Sequence, residues 1–260
     1  MSVEVYVSVL GPSLFEPWAE LLADALDPRP GSTVVDVASG PGTVARVLAR
    51  RVGAIGHVYG CDLSAEMLAA ATEVPAASGA GAIEYLACPA DELPLTDASV
   101  DAVACQQGLQ FFPDQVGALA EMHRVARPGA RLAVSVWRTI DRMPIYATLV
   151  EAAEEVLGDA GGLRTVPFSL SDAARLTSLA RAAGWTGVGV EARDLPVEFP
   201  SVAAVLRAYA VTPVAEAVRA LPAERADALE AALRARLAPL IDPDGAVRST
   251  TGAHFLTATA

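Results

Sequence analysis

The stretch VVDVASGPGTVARVLARR, residues 34–51, carries the central structural signal of this chain. An apolar run ends at Asp36. A turn with Gly40 and Gly42 follows, and a helical pattern opens directly after it. A strand, a tight glycine loop and a helix in that order form a nucleotide-binding device, because the backbone can approach a ligand where no side chain intervenes. The nucleotide is a dinucleotide, a nucleoside triphosphate or S-adenosylmethionine.

The flanking sequence predicts the same alternation repeated. Residues 13–26 read as an amphipathic helix, TVVDVA as a buried strand, and PGTVARVLARRV as a helix with proline in its first turn. HVYGCD is a second strand, and Ser64 caps the helix SAEMLAAATEV. IEYLA and SVDAVAC are further strands. DQVGALAEMHRVA is a helix stopped by Arg127-Pro128-Gly129, and RLAVSVW a fifth strand. Short strands alternating with helices predict a parallel sheet covered on both faces. After Trp137 the rhythm changes. PIYATLVEAAEEVLG is a helix that fits no simple crossover, SDAARLTSLARAAG a capped helix, and GVGVEARDLPVEF a strand. Residues 201–241 form a helical block with leucines at 229, 233, 237 and 240, and AHFLTATA closes the chain as a strand. The block is too long for a turn between strands and reads as a cap over the ligand edge of the sheet.

Composition bounds the chemistry. At 53% hydrophobic and 19% charged over 260 residues, the chain is a packed globular protein. A net charge of −12 disfavours nucleic acid and acidic membrane surfaces as partners. Arg46, Arg50 and Arg51 form the one dense basic cluster, on the helix after the glycine loop, and read as a solvated face. The N-terminus has no signal-peptide pattern and no run is long enough to span a membrane, so the expected location is the cytoplasm. All 19 basic residues are arginine, which excludes Schiff-base lysines, a Walker lysine and a lysine general base. Cys61, Cys88 and Cys105 have no CxxC spacing and predict small buried hydrophobes, with neither disulfide nor metal site.

The missing lysine rules out a P-loop. Gly40-x-Gly42-x-x-Ala45, with Asp62 about twenty residues on, also matches the dinucleotide fingerprint. Two features turn that reading. Asp36, four residues before Gly40, would repel a pyrophosphate and attract an amino group such as that of methionine. The strand, long insert and closing strand at the C-terminus differ from two mirrored mononucleotide halves.

VVDVASGPG, GCDLSAEML, ADELPLTDASVDAV and RVARPGARLAVSVW, in that order, resemble the motifs of class I S-adenosylmethionine-dependent methyltransferases. The likeness is to the branch with the ubiquinone/menaquinone-biosynthesis C-methyltransferases and many small-molecule methyltransferases. It covers residues 10–137 and implies a Rossmann-like, doubly wound α/β fold. The sheet would have seven strands, mostly parallel with an antiparallel last strand, in a single domain over residues 1–260. An N-terminal helical segment at 1–30 and the helical cap at 201–241 would belong to it.

The resemblance further implies that Asp36 and the backbone around Ala38, Ser39 and Gly40 hold the methionine end of S-adenosylmethionine, and that Gly42 lets the loop pass close to it. Asp62 would accept both ribose hydroxyls, Leu63 and Met67 pack on the adenine, Ala90 and Asp91 sit at its edge, and Gln106 accept from the methionine amine. The product would be S-adenosylhomocysteine. Two positions depart from the family: its first loop glycine is Ala38, and Pro89 stands where relatives carry an aspartate that accepts from the adenine amino group, leaving Asp91 to compensate.

The acceptor pocket is expected from the cap, the first helix and the 105–110 loop, with Gln107, Gln110, Trp137 and Tyr209 lining it and a small apolar or aromatic molecule, quinone-like or polyketide-like, as the acceptor. His254, at the ligand end of the last strand, is either a general base or a strand-end imidazole. Phe111 and Phe112 read as core, and Trp18 as the contact of the first helix with the sheet. The alternative functions are a cyclase or non-methylating binding protein on the same fold, and a dehydrogenase.

Overall fold

The computed structural model describes residues 3–160, 162–209 and 222–260. Seven strands form one sheet in the order β3-β2-β1-β4-β5-β7-β6. They are β1 (Thr33–Val37), β2 (His57–Asp62), β3 (Ala82–Ala87), β4 (Val100–Gln106), β5 (Ala126–Trp137), β6 (Thr186–Phe199) and β7 (Val247–Thr259). The pairs among β1 to β5 are parallel, and β7 runs antiparallel to β5. The expected Rossmann-like sheet is therefore present, with its carboxyl ends and switch point at β1 and β4, where ligands of open α/β sheets bind.

The chain divides into two compact units. One comprises Glu16–Trp137, Leu170–Arg193 and Ala253–Ala260. It holds α1 (Glu16–Leu26), α2 (Thr43–Val52), α3 (Ala65–Glu73), α4 (Gln115–Val125) and α6 (Ala173–Ala182). Strands β1 and β4 are buried on both faces, which is why they read as unbroken apolar runs. On one face, Val35, Val37, Val103 and Val134 pack with Leu119 and Met122 of α4 and Leu176 of α6. On the other, Trp18 of α1 stacks on Phe255 at 5.6 Å and meets Trp137 edge-on at 5.9 Å, as expected for the first helix.

The second unit is assembled from Met1–Phe15, Arg138–Ser169 and Asp194–Gly252. Its helices α5 (Pro144–Leu157), α7 (Val202–Tyr209) and α8 (Ala223–Leu237) share a core of Ile145, Leu149, Val205, Leu229, Leu233 and Leu237. The leucine stripe thus faces α5 and α7 within its own unit. Residues 201–241 are part of a larger body than an isolated insert, and residues 210–221 of that block lie outside the described residues. The expected 1–30 segment is likewise shared: residues up to Phe15 go with this unit and α1 with the sheet.

Two local expectations are corrected. Helical structure begins at Val3, well before residue 13, and residues Tyr6–Phe15 wind with wider, π-type turns that contain Pro12. Proline has no N–H to give to the usual α-helical ladder, so a periodic α pattern is not legible there. Arg127-Pro128-Gly129 does follow the end of α4 at Val125, but as part of β5, where the Gly129 N–H donates to the Ala260 carbonyl at 3.0 Å. No helix among the described residues is long and apolar enough to cross a membrane.

Candidate active site

The glycine loop is tied to the end of β2 by two short bonds. The Ser39 N–H donates to the Cys61 carbonyl at 2.9 Å, and the Gly40 N–H to Asp62 Oδ2 at 2.8 Å. The other oxygen of Asp62 accepts from the Ser64 N–H at 2.8 Å, and Ser64 caps α3 by accepting from the Met67 N–H at 3.3 Å. Asp62 therefore organises both loops. Each carboxylate oxygen, holding one backbone donor, has acceptor capacity left for a ligand hydroxyl.

Ala38 takes the place of the family's glycine at φ 59, in the left-handed region, and its methyl group faces Gly108, where a Cβ would come within 2.6 Å of it. Asp36 is only 1% exposed and neither of its oxygens has a hydrogen-bond partner. Burial first, and then the Asp62 carboxylate, raise its pKa well above the ordinary value, with the nearby Ala45 amide and Arg46 charge opposing. The Ser39 hydroxyl is also buried without a partner.

Beside this loop lies a cleft of about 270 Å³. Of the sequence-predicted residues it brings together Ala38, Asp62, Leu63, Ala90 and Asp91. Cys61, Cys88, Pro89, Phe111, Phe112 and Asp114 complete most of the lining. Leu63 is 77% exposed and Phe111 53%, so two large apolar side chains are offered in a protein whose other large apolar residues are mostly buried. Phe111 is thus a cleft residue and not core, because the short helical turn at Leu109–Phe111 buries Leu109 and turns Phe111 outward. All charged lining residues, Asp62, Asp91 and Asp114, are acidic. Such a lining repels a pyrophosphate and suits a ligand with hydroxyls, an aromatic base and a positive centre. The side chains present fit an adenosyl group.

The three cysteines are buried and free, as expected. Cys61 and Cys88 interact, which pushes the Cys88 thiol down and the Cys61 thiol up, and burial pushes Cys105 up to about 12.

Other expected residues are not in the cleft lining. Met67 is buried on α3. A Cβ at Gly42 (φ 78) would collide with the Tyr85 hydroxyl at 2.2 Å, so that glycine answers to Tyr85. Gln106 ends β4, opposite Ser135 of β5 and two residues beyond Ala104, the partner of Asp36.

Of the expected acceptor-pocket residues, Gln107 and Gln110 are buried and bonded to each other, with Gln110 Nε2 donating to Gln107 Oε1 at 3.3 Å and Gln107 Nε2 donating to Ser135 Oγ at 3.4 Å. Trp137 is buried against Trp18. Tyr209 lies in the core of the second unit, its hydroxyl 2.7 Å from Thr148 Oγ1. These bonds and ring contacts hold the four side chains in place within the protein. Sequence patterns mark such residues as polar or aromatic but do not show which hydrogen bonds already claim them.

His254 is opposite Val136 at the carboxyl edge of β5, as the antiparallel last strand requires. Its Nε2 donates to the Ser171 carbonyl at 2.9 Å, while Nδ1 is buried with no partner. Through Nε2 the ring holds the 170–172 turn, the contact expected of a strand-end imidazole. The arginine cluster is a neutralised surface: Arg50 pairs with Glu20 at 2.5 Å and Arg51 with Glu20 and Asp24 at 2.9 and 2.7 Å.

A doubly wound sheet with a glycine loop after β1 and an acidic cleft at β2 defines an adenosyl-binding α/β protein. Comparison with known proteins narrows the class. Residues 35–134 match the family model described as a methyltransferase domain. The chain is 33% identical over 190 residues to the demethylmenaquinone methyltransferase of Corynebacterium kroppenstedtii, covering 66% of this chain and 76% of that protein. It is 32% identical over 170 residues to the ubiquinone/menaquinone biosynthesis C-methyltransferase UbiE of Cupriavidus necator, covering 62% and 70%. The crystal structure of the YcgJ protein of Bacillus subtilis shares the fold with a TM-score of 0.58 at 16% identity, covering 93% of this chain and 97% of that one. The chain belongs to the class I S-adenosylmethionine-dependent methyltransferases, enzymes that use that cofactor as methyl donor. It spans only 33 to 51% of the length of several other curated relatives.

Proposed function

We propose that this protein transfers the methyl group of S-adenosylmethionine to a small, apolar or aromatic organic acceptor of quinone-like or polyketide-like chemistry. The observation that carries the reading is the cleft that gathers Ala38, Asp62, Leu63, Ala90 and Asp91 with three acidic side chains. Asp62 is assigned to the ribose hydroxyls, Leu63 and Phe111 to the faces of the adenine, and Asp91 to its edge in place of the aspartate that Pro89 replaces. Asp36, buried beneath the loop, supports it from the sheet side, with Ser39, Gly40 and Gln106 beside the methionine end. When bound, S-adenosylmethionine supplies an activated methyl group on a sulfonium. The protein's share is then alignment and the exclusion of water. The unit that contains residues 201–241 is assigned the choice of acceptor. Relatives named for demethylmenaquinone support an apolar ring as acceptor.

The test is incubation of the protein with S-adenosylmethionine and a panel of hydroxylated quinones, phenols and aliphatic amines. Mass spectrometry should find S-adenosylhomocysteine together with one added methyl group on a quinone or phenol. Methylation of the amines alone would overturn the acceptor class, and cofactor binding with no turnover on any member would favour the non-methylating alternative.

A further inference from the structure

Tyr85, near the end of β3, is absent from every role assigned by sequence. In the ladder it lies opposite Gly60 of β2, and a Cβ at Gly60 would approach its ring to 2.6 Å. A Cβ at Gly42, on the loop, would approach its hydroxyl to 2.2 Å. One aromatic side chain thus occupies the space that two glycines, eighteen positions apart on different elements, leave open. Gly60 has no unusual backbone conformation, so the need for glycine there is purely one of room. The Tyr85 hydroxyl is buried beside the Arg46 guanidinium, and the ring fills the room that the two glycines leave. On the helix side of the same loop, Arg46 donates to the Pro41 carbonyl at 2.7 Å. The loop is therefore held between an arginine clamp and an aromatic spacer.

The geometry points to Tyr85 as a positioning residue for the cofactor: its ring, seated on Gly60 and against Gly42, sets the height of the Ser39–Gly42 loop above the end of β2. That height determines whether the Ser39 and Gly40 amides reach the Cys61 carbonyl and the Asp62 carboxylate. Tyr85 is not in the cleft lining, so the role assigned to it is exerted through the loop and through Asp62. The inference rests on the assignment of the cleft to S-adenosylmethionine.

Calorimetric titration with S-adenosylhomocysteine tests it, on the full chain and on Tyr85→Phe, Tyr85→Leu, Tyr85→Ala, Gly60→Ala and the Tyr85→Ala/Gly60→Ala pair, with melting temperatures recorded for each. Small displacements of a binding frame carry large penalties, so Tyr85→Leu and Tyr85→Ala should bind about tenfold more weakly, while Tyr85→Phe stays within about twofold of the parent. Gly60→Ala should also lose about tenfold in the parent but less than about twofold beside Tyr85→Ala, because the added methyl no longer meets a ring. Turnover at saturating S-adenosylmethionine should be unchanged in Tyr85→Leu, a separation of KM from kcat that general loss of folding would not give. If Tyr85→Ala does not fold, the Phe and Leu variants decide. Tyr85→Leu binding like the parent, or an equal Gly60→Ala penalty in both backgrounds, overturns the inference. A parent that binds no S-adenosylhomocysteine overturns the cofactor assignment itself.

Discussion

At the scale of single residues, Asp62 carries more than one duty. It accepts from the Gly40 and Ser64 amides and stands in the cleft wall. Hydrogen bonds to charged groups contribute about 1.5–3 kcal/mol each, so Asp62→Ala should weaken S-adenosylmethionine binding at least tenfold and also lower the melting temperature. Unchanged affinity in calorimetry with an intact fold would remove Asp62 from the cofactor site. Asp36 makes a prediction about pH. Burial and Asp62 raise its pKa in the folded state, so the native protein holds that proton more tightly than the unfolded chain does. The stability linked to the proton is complete below the ordinary value of 3.8 and is lost as pH rises through the raised value. Above that ordinary value the buried acid therefore opposes folding. Asp36→Asn should melt higher than the parent at pH 8, with the gap closing toward pH 4 (~4 being the ordinary carboxyl range). A gap that is constant or widens in acid would contradict the burial argument. His254, with Nε2 on the Ser171 carbonyl, should tolerate glutamine: turnover in His254→Gln should stay within about threefold, against the 10²-fold or greater loss typical of a removed general base. Asp36, Asp62 and the loop glycines were legible because a strand, a glycine turn and an acid at fixed spacing leave a local trace. Tyr85 was not legible as a partner, although Gly60 inside HVYGCD was a sign that something bulky approaches that strand. Only the register of β2 against β3 reveals which residue that is.

At the scale of elements, strands were easier to read than the joints between them. Buried parallel strands such as β1 and β4 are continuous apolar runs bounded by turns, so both their existence and their order could be inferred. The wide-turned Tyr6–Phe15 segment and the early start of β5 at Ala126 escape such reading, because proline in one case and a long-range bond to Ala260 in the other override local propensity. The loop after β1 meets the loop after β4 where Ala38 faces Gly108, and that contact yields a reciprocal test. Ala38 sits at φ 59 with its methyl toward Gly108, where a second methyl would lie at 2.6 Å. Gly108→Ala should therefore destabilise by about 1–3 kcal/mol through overpacking. Ala38→Gly alone should be neutral to stabilising by up to about 1 kcal/mol, since glycine accepts a positive φ without strain. In the double variant most of the Gly108→Ala loss should be recovered, as read by urea denaturation. Additive losses would mean that the two loops do not share that space in solution.

At the scale of the whole molecule, one unit contains every residue that lines the cleft, and the other is built from three separated segments around a helical core. That partition was only partly visible in sequence. The 144–157 helix fitted no crossover and the leucine stripe at 229–240 announced a buried face, but the pairing of those segments depends on contacts between residues more than sixty positions apart. Leu233 is an internal probe of this division. It is 5% exposed and packs within the helical core, remote in sequence from every cleft residue. Truncating a buried leucine to alanine removes about 2–5 kcal/mol, through lost transfer energy and the cavity that remains. Leu233→Ala should consequently lower the melting temperature. Below that temperature, its affinity for S-adenosylhomocysteine should remain within about twofold of the parent, because sites without shared partners behave additively. Methyl transfer to a true acceptor should fall further than cofactor affinity if this unit governs acceptor choice. Titration at 10 °C (roughly where domain stability is greatest) separates the two quantities, since it keeps most of the variant folded. A loss of cofactor affinity in step with the loss of stability would show that the helical unit also shapes the cofactor cleft. An acceptor KM and turnover equal to the parent's would remove it from acceptor recognition.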